Sequence, residues 1–248
     1  MKISIITPCF NSESTIEDTI QSVLKQDYPF VEYIIIDGRS ADNTSLILEK
    51  YKSGISKVVS EKDNGIYDAM NKGIKLATGD IVGVLNSDDF YVNSKVLSTV
   101  ANTFSNSHCD ATYSDLQYVS KNDTTKLIRN WISGDYKRSK FKWGWMPPHP
   151  TFFLKKELYL KNGVYNDELS LSADYELMLR MLCKFKLSPT YIPEVLVKMR
   201  IGGKGNSSVY QRVKANMEDR KAWELNDLTP NIFTFYLKPL RKIFQYLN

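Results

Sequence analysis

Along the first hundred positions, apolar residues fall in short blocks with polar stretches between them. Ile3–Ile6 and Tyr33–Ile36 are isoleucine-rich and bounded by turn-forming residues, which predicts buried strands. Between them Ser14-x-x-Glu17 reads as a capping box, and Ile16, Ile20, Val23 and Leu24 follow at helical spacing. A strand, a helix and a strand predict a βαβ unit with parallel strands. The alternation continues with a helix over Leu46–Tyr51, a strand over Ile55–Val59, a helix over Ile66–Ala77 and a strand over Ile81–Leu85. Thr78-Gly79-Asp80 ends the third helix, with Gly79 suited to a left-handed cap. The pattern predicts an open, mostly parallel α/β sheet flanked by helices.

After Asp110 the pattern changes. Ala111–Val119 and Ile128–Trp131 read as strands, and Ala173–Lys184 as a strong helix. Between them lies KRSKFKWGWMPPHP, rich in aromatic, basic and proline residues. The expected organisation is one domain over residues 1–225, in two halves, 1–105 and 106–225. An amphipathic, helical tail follows over residues 226–248.

Composition narrows this only a little. At 248 residues and 42% hydrophobic the chain can bury a full core, and its net charge of +5 suits phosphate-bearing partners or an anionic membrane surface. Cys9, Cys109 and Cys183 are far apart and show no metal-ligand spacing, so reduced thiols in the cytoplasm are expected. The apolar run in MKISIITPCFNSE is too short for a signal peptide, and no stretch approaches the roughly 18 apolar residues of a spanning helix.

In open α/β sheets ligands bind beyond the carboxyl ends of the strands. Three polar clusters sit at such ends: Thr7-Pro8-Cys9-Phe10-Asn11, Asp37, and Asn86-Ser87-Asp88-Asp89. Adjacent carboxylates suit a hard divalent cation, Mn²⁺ or Mg²⁺, bridging to phosphate; they also suit a turn or a helix cap. Asp174, opening the helix in SADYE, is either a cap or a general base, with Glu176 in reserve.

These stretches together resemble the family 2 glycosyltransferases. The match is carried by ISIITPCFNSESTIEDTIQSVLKQDYP, VEYIIIDGRSADNT, EKDNGIYDAMNKGIKLATGDIVGVLNSDDF, HPTFF, SADYELMLR and GGKGNSS, over roughly residues 2–210. The resemblance implies a GT-A nucleotide-diphosphosugar transferase fold and an inverting transfer from a UDP-sugar. It is nearest to bacterial enzymes that assemble O-antigen and other exopolysaccharide repeat units. The implied acceptor is a lipid-diphosphate-linked sugar, N-acetylglucosamine-diphosphoundecaprenol, and the implied product a β-1,3-linked galactoside. Residue by residue it implies that Thr7, Pro8 and Phe10 line the base pocket and that Asp37 accepts from uracil. Asp88 would hold the ribose and Asp89 the metal. Asp63 and Asn71 would lie in the segment that closes over the donor, and Asp174 would be the base. His149 would touch the diphosphate or the acceptor. Many members have Arg before that Asn, whereas Met70 stands here.

Three expectations concern partners and place. Lys137, Arg138, Lys140 and Lys142 interleave with Phe141, Trp143 and Trp145, as an acceptor mouth would. In the tail, Phe233, Tyr236, Leu237, Leu240, Phe244 and Leu247 recur beside Lys238, Arg241 and Lys242, as on a helix lying against an anionic membrane. The chain is therefore expected to be cytoplasmic, on the inner face of the bacterial inner membrane, with no nucleic-acid partner. A sugar-1-phosphate nucleotidyltransferase would carry a glycine-rich loop after the first strand, which TPCFNSEST lacks. A non-catalytic binding module would not need Asp88, Asp89 and Asp174 together.

Overall fold

A computed structural model describes residues 1–202 and 209–245. Nine strands form one sheet: β1 (Ile3–Cys9), β2 (Val31–Asp37), β3 (Lys57–Ser60), β4 (Ile81–Val84), β5 (Asp89–Tyr91), β6 (Ala111–Val119), β7 (Leu127–Trp131), β8 (Phe153–Lys155) and β9 (Pro189–Arg200). Their order is β3-β2-β1-β4-β8-β6-β9-β5, with β7 added against β6. The pairings make β1, β2, β3, β4, β6 and β9 run one way, with β5, β7 and β8 opposed. The sheet is mostly parallel with flanking helices, as the sequence pattern predicts.

The first strands are buried on both faces. Ile3, Ile5, Tyr33, Ile35 and Ile81 face one core, with α1 (Ile16–Leu24) and α4 (Val96–Ser107). Ile6, Ile34, Ile36, Val82 and Val84 face the other, with α3 (Ile66–Leu76), α6 (Ala173–Leu179) and Trp223 of α7 (Val209–Leu225). This double burial is why the blocks read as near-continuous isoleucine and valine rather than as alternating patterns. Two short helices, α2 (Thr44–Lys50) and α5 (Lys156–Asn162), pack at the rim, and α8 (Thr234–Phe244) closes the described chain.

Local details depart from the sequence reading for identifiable reasons. The capping box at Ser14 does not form: α1 begins after Thr15 without a side-chain cap. Glu17 instead pairs with Lys50 at 2.6 Å and accepts from the Tyr51 hydroxyl at 2.7 Å, tying α1 to the end of α2. Gly79 is not left-handed. It is small because a Cβ there would lie 2.6 Å from Ser4 Oγ and 2.8 Å from the Lys2 carbonyl. That close approach belongs to a polar clip around Glu32, which accepts from Ser4 Oγ at 2.5 Å, Thr78 N at 2.7 Å and Lys2 Nζ at 3.2 Å. Burial works against the charge, but these bonds hold the Glu32 carboxyl down to about 2. The helix expected over Ala173–Lys184 is α-helical only to Leu179. It then widens into a π turn over Arg180–Lys184, closed by the Phe185 amide on the Arg180 carbonyl at 2.9 Å.

The three cysteines are buried and unpaired. No helix among the described residues is long and apolar enough to cross a membrane.

Candidate active site

Parallel alignment brings the carboxyl ends of β1, β2 and β4 to one edge, with Cys9 beside Asp37 in register. The loops that leave them are stitched together. Ser40 Oγ accepts from Asn11 N at 2.8 Å, Asn11 Oδ1 accepts from Ala41 N at 2.9 Å, and Ser12 and Ser87 share a 2.9 Å hydroxyl contact. Asn11 and Arg39, neither a glycine, both hold left-handed backbone here (φ 50° and 63°). Strain of this kind, at two of the three converging ends, is expected of a ligand edge.

The edge sorts the expected base-pocket residues into two sets. Phe10 is 56% exposed at the mouth. Asp63 lies across from it over Gly38, where a Cβ would come within 2.3 Å of the Asp63 carboxylate and 3.3 Å of the Phe10 ring. Thr7 and Pro8 are inside the sheet, and Thr7 Oγ1 is 3.2 Å from the Tyr33 hydroxyl. They shape the strand and do not line an open pocket. Asp37 is likewise buried, accepting from Ser40 Oγ at 2.5 Å and Ser60 Oγ at 2.6 Å, so in this structure it organises the β2 loop. Asn71 is also buried. Its amide spans the Tyr165 backbone, donating to the carbonyl at 2.8 Å and accepting from the amide at 2.9 Å. Its expected donor contact gives way to a structural clip between α3 and the loop before α6.

The paired aspartates sit in a turn, closed by Asp89 N on the Asn86 carbonyl at 3.0 Å, and Asp89 starts β5. Their backbones are held from two sides. Thr19 of α1 donates to the Asp89 carbonyl at 2.7 Å, and Arg200 of β9 donates to the Asp88 carbonyl at 2.7 Å while pairing with Asp18. Asp88 is half-buried, and burial raises its carboxyl. Asp89 is fully buried. Burial first, and then the Asp88 charge, pushes its carboxyl well above the usual range. Asp89 Oδ2 accepts from Asn86 Nδ2 at 3.2 Å. Asp89 Oδ1 and Asn86 Oδ1 are among the four buried side-chain polar atoms of the described residues that have no hydrogen-bond partner. An uncompensated hard oxygen beside a second carboxylate fits a divalent cation held by one or two carboxylates plus substrate phosphate. The described residues contain no cluster of three or more His, Cys, Asp or Glu that would hold a metal without the substrate.

The Asp174 side chain makes no cap to its own helix. The turn entering α6 is held by Glu218 of α7, which accepts from Ser170 N at 3.2 Å, Leu171 N at 2.7 Å and Ser172 N at 3.0 Å. The Asp174 side chain faces the site. Its Oδ2 lies 3.2 Å from His149 Nδ1, and its Oδ1 accepts from the Tyr67 hydroxyl at 3.3 Å. His149 stands in a 3-10 turn between Pro148 and Pro150, and its Nε2 is 3.4 Å from Asn86 Nδ2. With that amide donating, the consistent proton assignment places hydrogen on Nδ1, toward Asp174. Glu176 is committed away from the site. It is buried, paired with Arg180 at 2.9 Å, and accepts from Asn226 at 2.9 Å.

Asp88, Asp89, Asn86, His149 and Asp174 thus gather at one edge, with Phe10 and Asp63 at its mouth. Sequence reasoning missed Tyr67, Arg200 and Glu218. Tyr67 lies inside the quoted KDNGIYDAMNKG stretch, while Glu218 carries no local signal. The GGKGNSS motif beyond Gly202 lies outside the described residues.

A mostly parallel α/β sheet with polar and acidic groups at its carboxyl edge belongs to the ligand-binding α/β proteins. Residues 4–168, well over half the chain, match the Glycosyl transferase family 2 profile, and the chain belongs to that family. It is 31% identical over 208 residues to an uncharacterized glycosyltransferase of Mycobacterium tuberculosis, covering 82% of this chain and 77% of that one. It is 39% identical over 95 residues to the Escherichia coli UDP-Glc:alpha-D-GlcNAc-diphosphoundecaprenol beta-1,3-glucosyltransferase WfgD, covering 38% of each chain. Staphylococcus aureus TarS 1–349, solved in complex with UDP-GlcNAc, superposes with a TM-score of 0.72 at 20% identity, covering 100% of this chain and 72% of that one. A Pyrobaculum calidifontis mannosyltransferase in complex with GDP-Man and Mn²⁺ gives 0.67 at 17% identity, covering 99% and 69%. These structures share the GT-A fold with this chain.

Proposed function

We propose that the chain is an inverting hexosyltransferase. It would move glucose or galactose from a UDP-sugar to a hydroxyl of lipid-linked N-acetylglucosamine diphosphate, at the cytoplasmic face of the bacterial inner membrane, during assembly of a surface polysaccharide. The observation that carries this reading is Asp174: it does not cap its helix, and it faces the aspartate edge with its oxygens held by His149 and Tyr67. The UDP-sugar and the lipid-diphosphate acceptor are supported by the name of the Escherichia coli relative. A sugar nucleotidyltransferase does not fit the family.

In the proposed reaction the acceptor hydroxyl gives its proton to Asp174 as its oxygen bonds to the anomeric carbon. The bond to the diphosphate oxygen breaks on the opposite face, and UDP leaves with that electron pair, so an α-linked donor yields a β-glycoside. Asp89, with Asp88 beside it, would hold Mn²⁺ or Mg²⁺, which when bound supplies positive charge against the diphosphate. Phe10 and Asp63 would meet the nucleoside. The test is UDP release from a panel of UDP-hexoses, dependent on a soluble N-acetylglucosamine-diphosphate-lipid analogue. Absence of turnover with every member would overturn the reading.

Placement at the membrane rests on surfaces that differ from those the tail pattern suggests. Lys238 is not free for lipid: it pairs with both Asp219 oxygens at 2.7 Å and lies 3.6 Å over the Tyr175 ring. Phe235 is buried, and Thr234 Oγ1 donates to the Lys142 carbonyl at 2.7 Å, so α8 is docked on the domain. Phe141 and Trp145 of the basic loop are core residues, with Trp145 Nε1 on the Ser133 carbonyl at 2.9 Å. What remains outward is Phe233 just before α8, Tyr236 and Leu240 on it and Trp143 on the loop, with exposed Lys137, Arg138, Lys142 and Arg241 in the same segments. Leu247 lies outside the described residues, as do the side chains of Lys242 and Phe244. An apolar strip between cations fits an anionic lipid surface. A Phe233→Ser, Tyr236→Ser, Leu240→Ser triple variant is expected to bind anionic liposomes at least about tenfold more weakly. Its turnover of a short, water-soluble acceptor should stay at the wild-type level. Unchanged liposome binding would remove this strip as the contact.

A further inference from the structure

We infer that Tyr67 and His149 are positioning residues that clamp the Asp174 carboxylate, one on each oxygen, so that it faces the acceptor hydroxyl. The inference rests on Asp174 being the base, and it gives a role to Tyr67.

A carboxylate in the first turn of a helix ordinarily turns back to the free backbone amides. Here no side chain caps α6, and the Asp174 carboxylate takes its partners off its own helix. It finds two, from distant parts of the chain: the Tyr67 hydroxyl on Oδ1 at 3.3 Å and His149 Nδ1 on Oδ2 at 3.2 Å. The first contact is long for a hydroxyl donor, so its effect depends on how firmly the ring is held.

That ring is held firmly. Tyr67 is buried and stacks on Tyr165 with centroids 5.6 Å apart and planes at 24°. The Tyr165 backbone is in turn gripped at both its amide and its carbonyl by Asn71, one helical turn beyond Tyr67 on the same face of α3. Asn71 thus anchors the ring on which Tyr67 rests. Burial, and then the Asp174 charge, raise the Tyr67 phenol well above its usual value, which keeps it a proton donor. On the other oxygen, the prolines flanking His149 limit its backbone, and Asn86 backs its far nitrogen. A continuous set of contacts therefore runs Tyr67–Asp174–His149–Asn86–Asp89, from α3 to the acidic turn. A base fixed in one rotamer meets the acceptor hydroxyl at the same place in every turnover, and that is how a positioning residue raises kcat without touching substrate.

Tyr67→Phe removes one oxygen and keeps the Tyr165 stack. It is expected to lower kcat roughly tenfold, with the KM for the UDP-sugar and the melting temperature unchanged. In an Asp174→Asn background the same substitution should cause no further loss, because its effect passes through that carboxylate. His149 supplies an independent readout. His149→Asn carries an amide nitrogen near the place of Nδ1 and should retain most of the kcat that His149→Ala loses.

Wild-type kcat in Tyr67→Phe, or an equal fold-loss in both backgrounds, would overturn the role of Tyr67. Equal activity in His149→Asn and His149→Ala would overturn that of His149. An Asp174→Asn variant as active as wild type would instead remove the base itself, an outcome separate from failure of the clamp.

Discussion

Asp89→Ala is expected to reduce kcat/KM by roughly 10³-fold or more, the scale of several kcal/mol of charge stabilisation at a departing diphosphate. The same substitution should leave the melting temperature unchanged or higher. Asp89 is fully buried, its Oδ1 has no hydrogen-bond partner, and Asp88 lies next to it, so the free protein bears a cost for keeping the carboxylate there. Removing a group that costs stability and supports turnover separates loss of function from loss of fold. EDTA should silence the wild-type protein, with Mn²⁺ restoring it. Full turnover in EDTA, or an active Asp89→Ala variant, would remove the cation from the account.

Asp174→Asn is expected to lower kcat by roughly 10²–10⁴, the range of general-base catalysis, with UDP affinity little changed. The amide keeps the size of the carboxylate but is far less basic. It also offers one acceptor where two donors, His149 Nδ1 and the Tyr67 hydroxyl, now converge. UDP binding measured by calorimetry checks that the nucleotide edge is intact. A folded variant with near wild-type kcat would place the base elsewhere, and Glu176 is already committed to Arg180 and Asn226.

The β-strand blocks were legible because both faces of β1, β2 and β4 are buried, which fills most of their positions with isoleucine and valine. Their parallel direction then placed Asp37 and the Asp88–Asp89 pair at one edge before any geometry was known. Which atoms stay open there was not legible. Thr7 and Pro8 read as loop because Pro8 suggests a turn, yet the strand continues to Cys9 and seals them. Asn71 was expected in the segment that closes over the donor, but its partner is a backbone 94 residues away. The capping box failed for the same reason: Glu17 has better partners in Lys50 and Tyr51 than its own helix end.

The converse holds for Asp174. Locally it reads equally as a cap, but its partners are Tyr67 and His149, from distant parts of the chain. Helix α8 shows how a periodic pattern can be right in form and divided in use. One face, with Phe235 and Lys238, packs on the domain; the other, with Tyr236 and Leu240, stays outward, as does Phe233 just before the helix. Strand β8, three residues long and antiparallel to both neighbours, joins the two halves of the sheet and gives no periodic signal at that length.

The central claim is that Asp174 activates a sugar hydroxyl for direct displacement at a UDP-hexose. Nuclear magnetic resonance of the product formed from an α-linked UDP-hexose and an N-acetylglucosamine-diphosphate-lipid analogue tests it most directly. The account predicts a new β-linkage, formed by the wild-type protein and lost in Asp174→Asn; an α-linked product would contradict it.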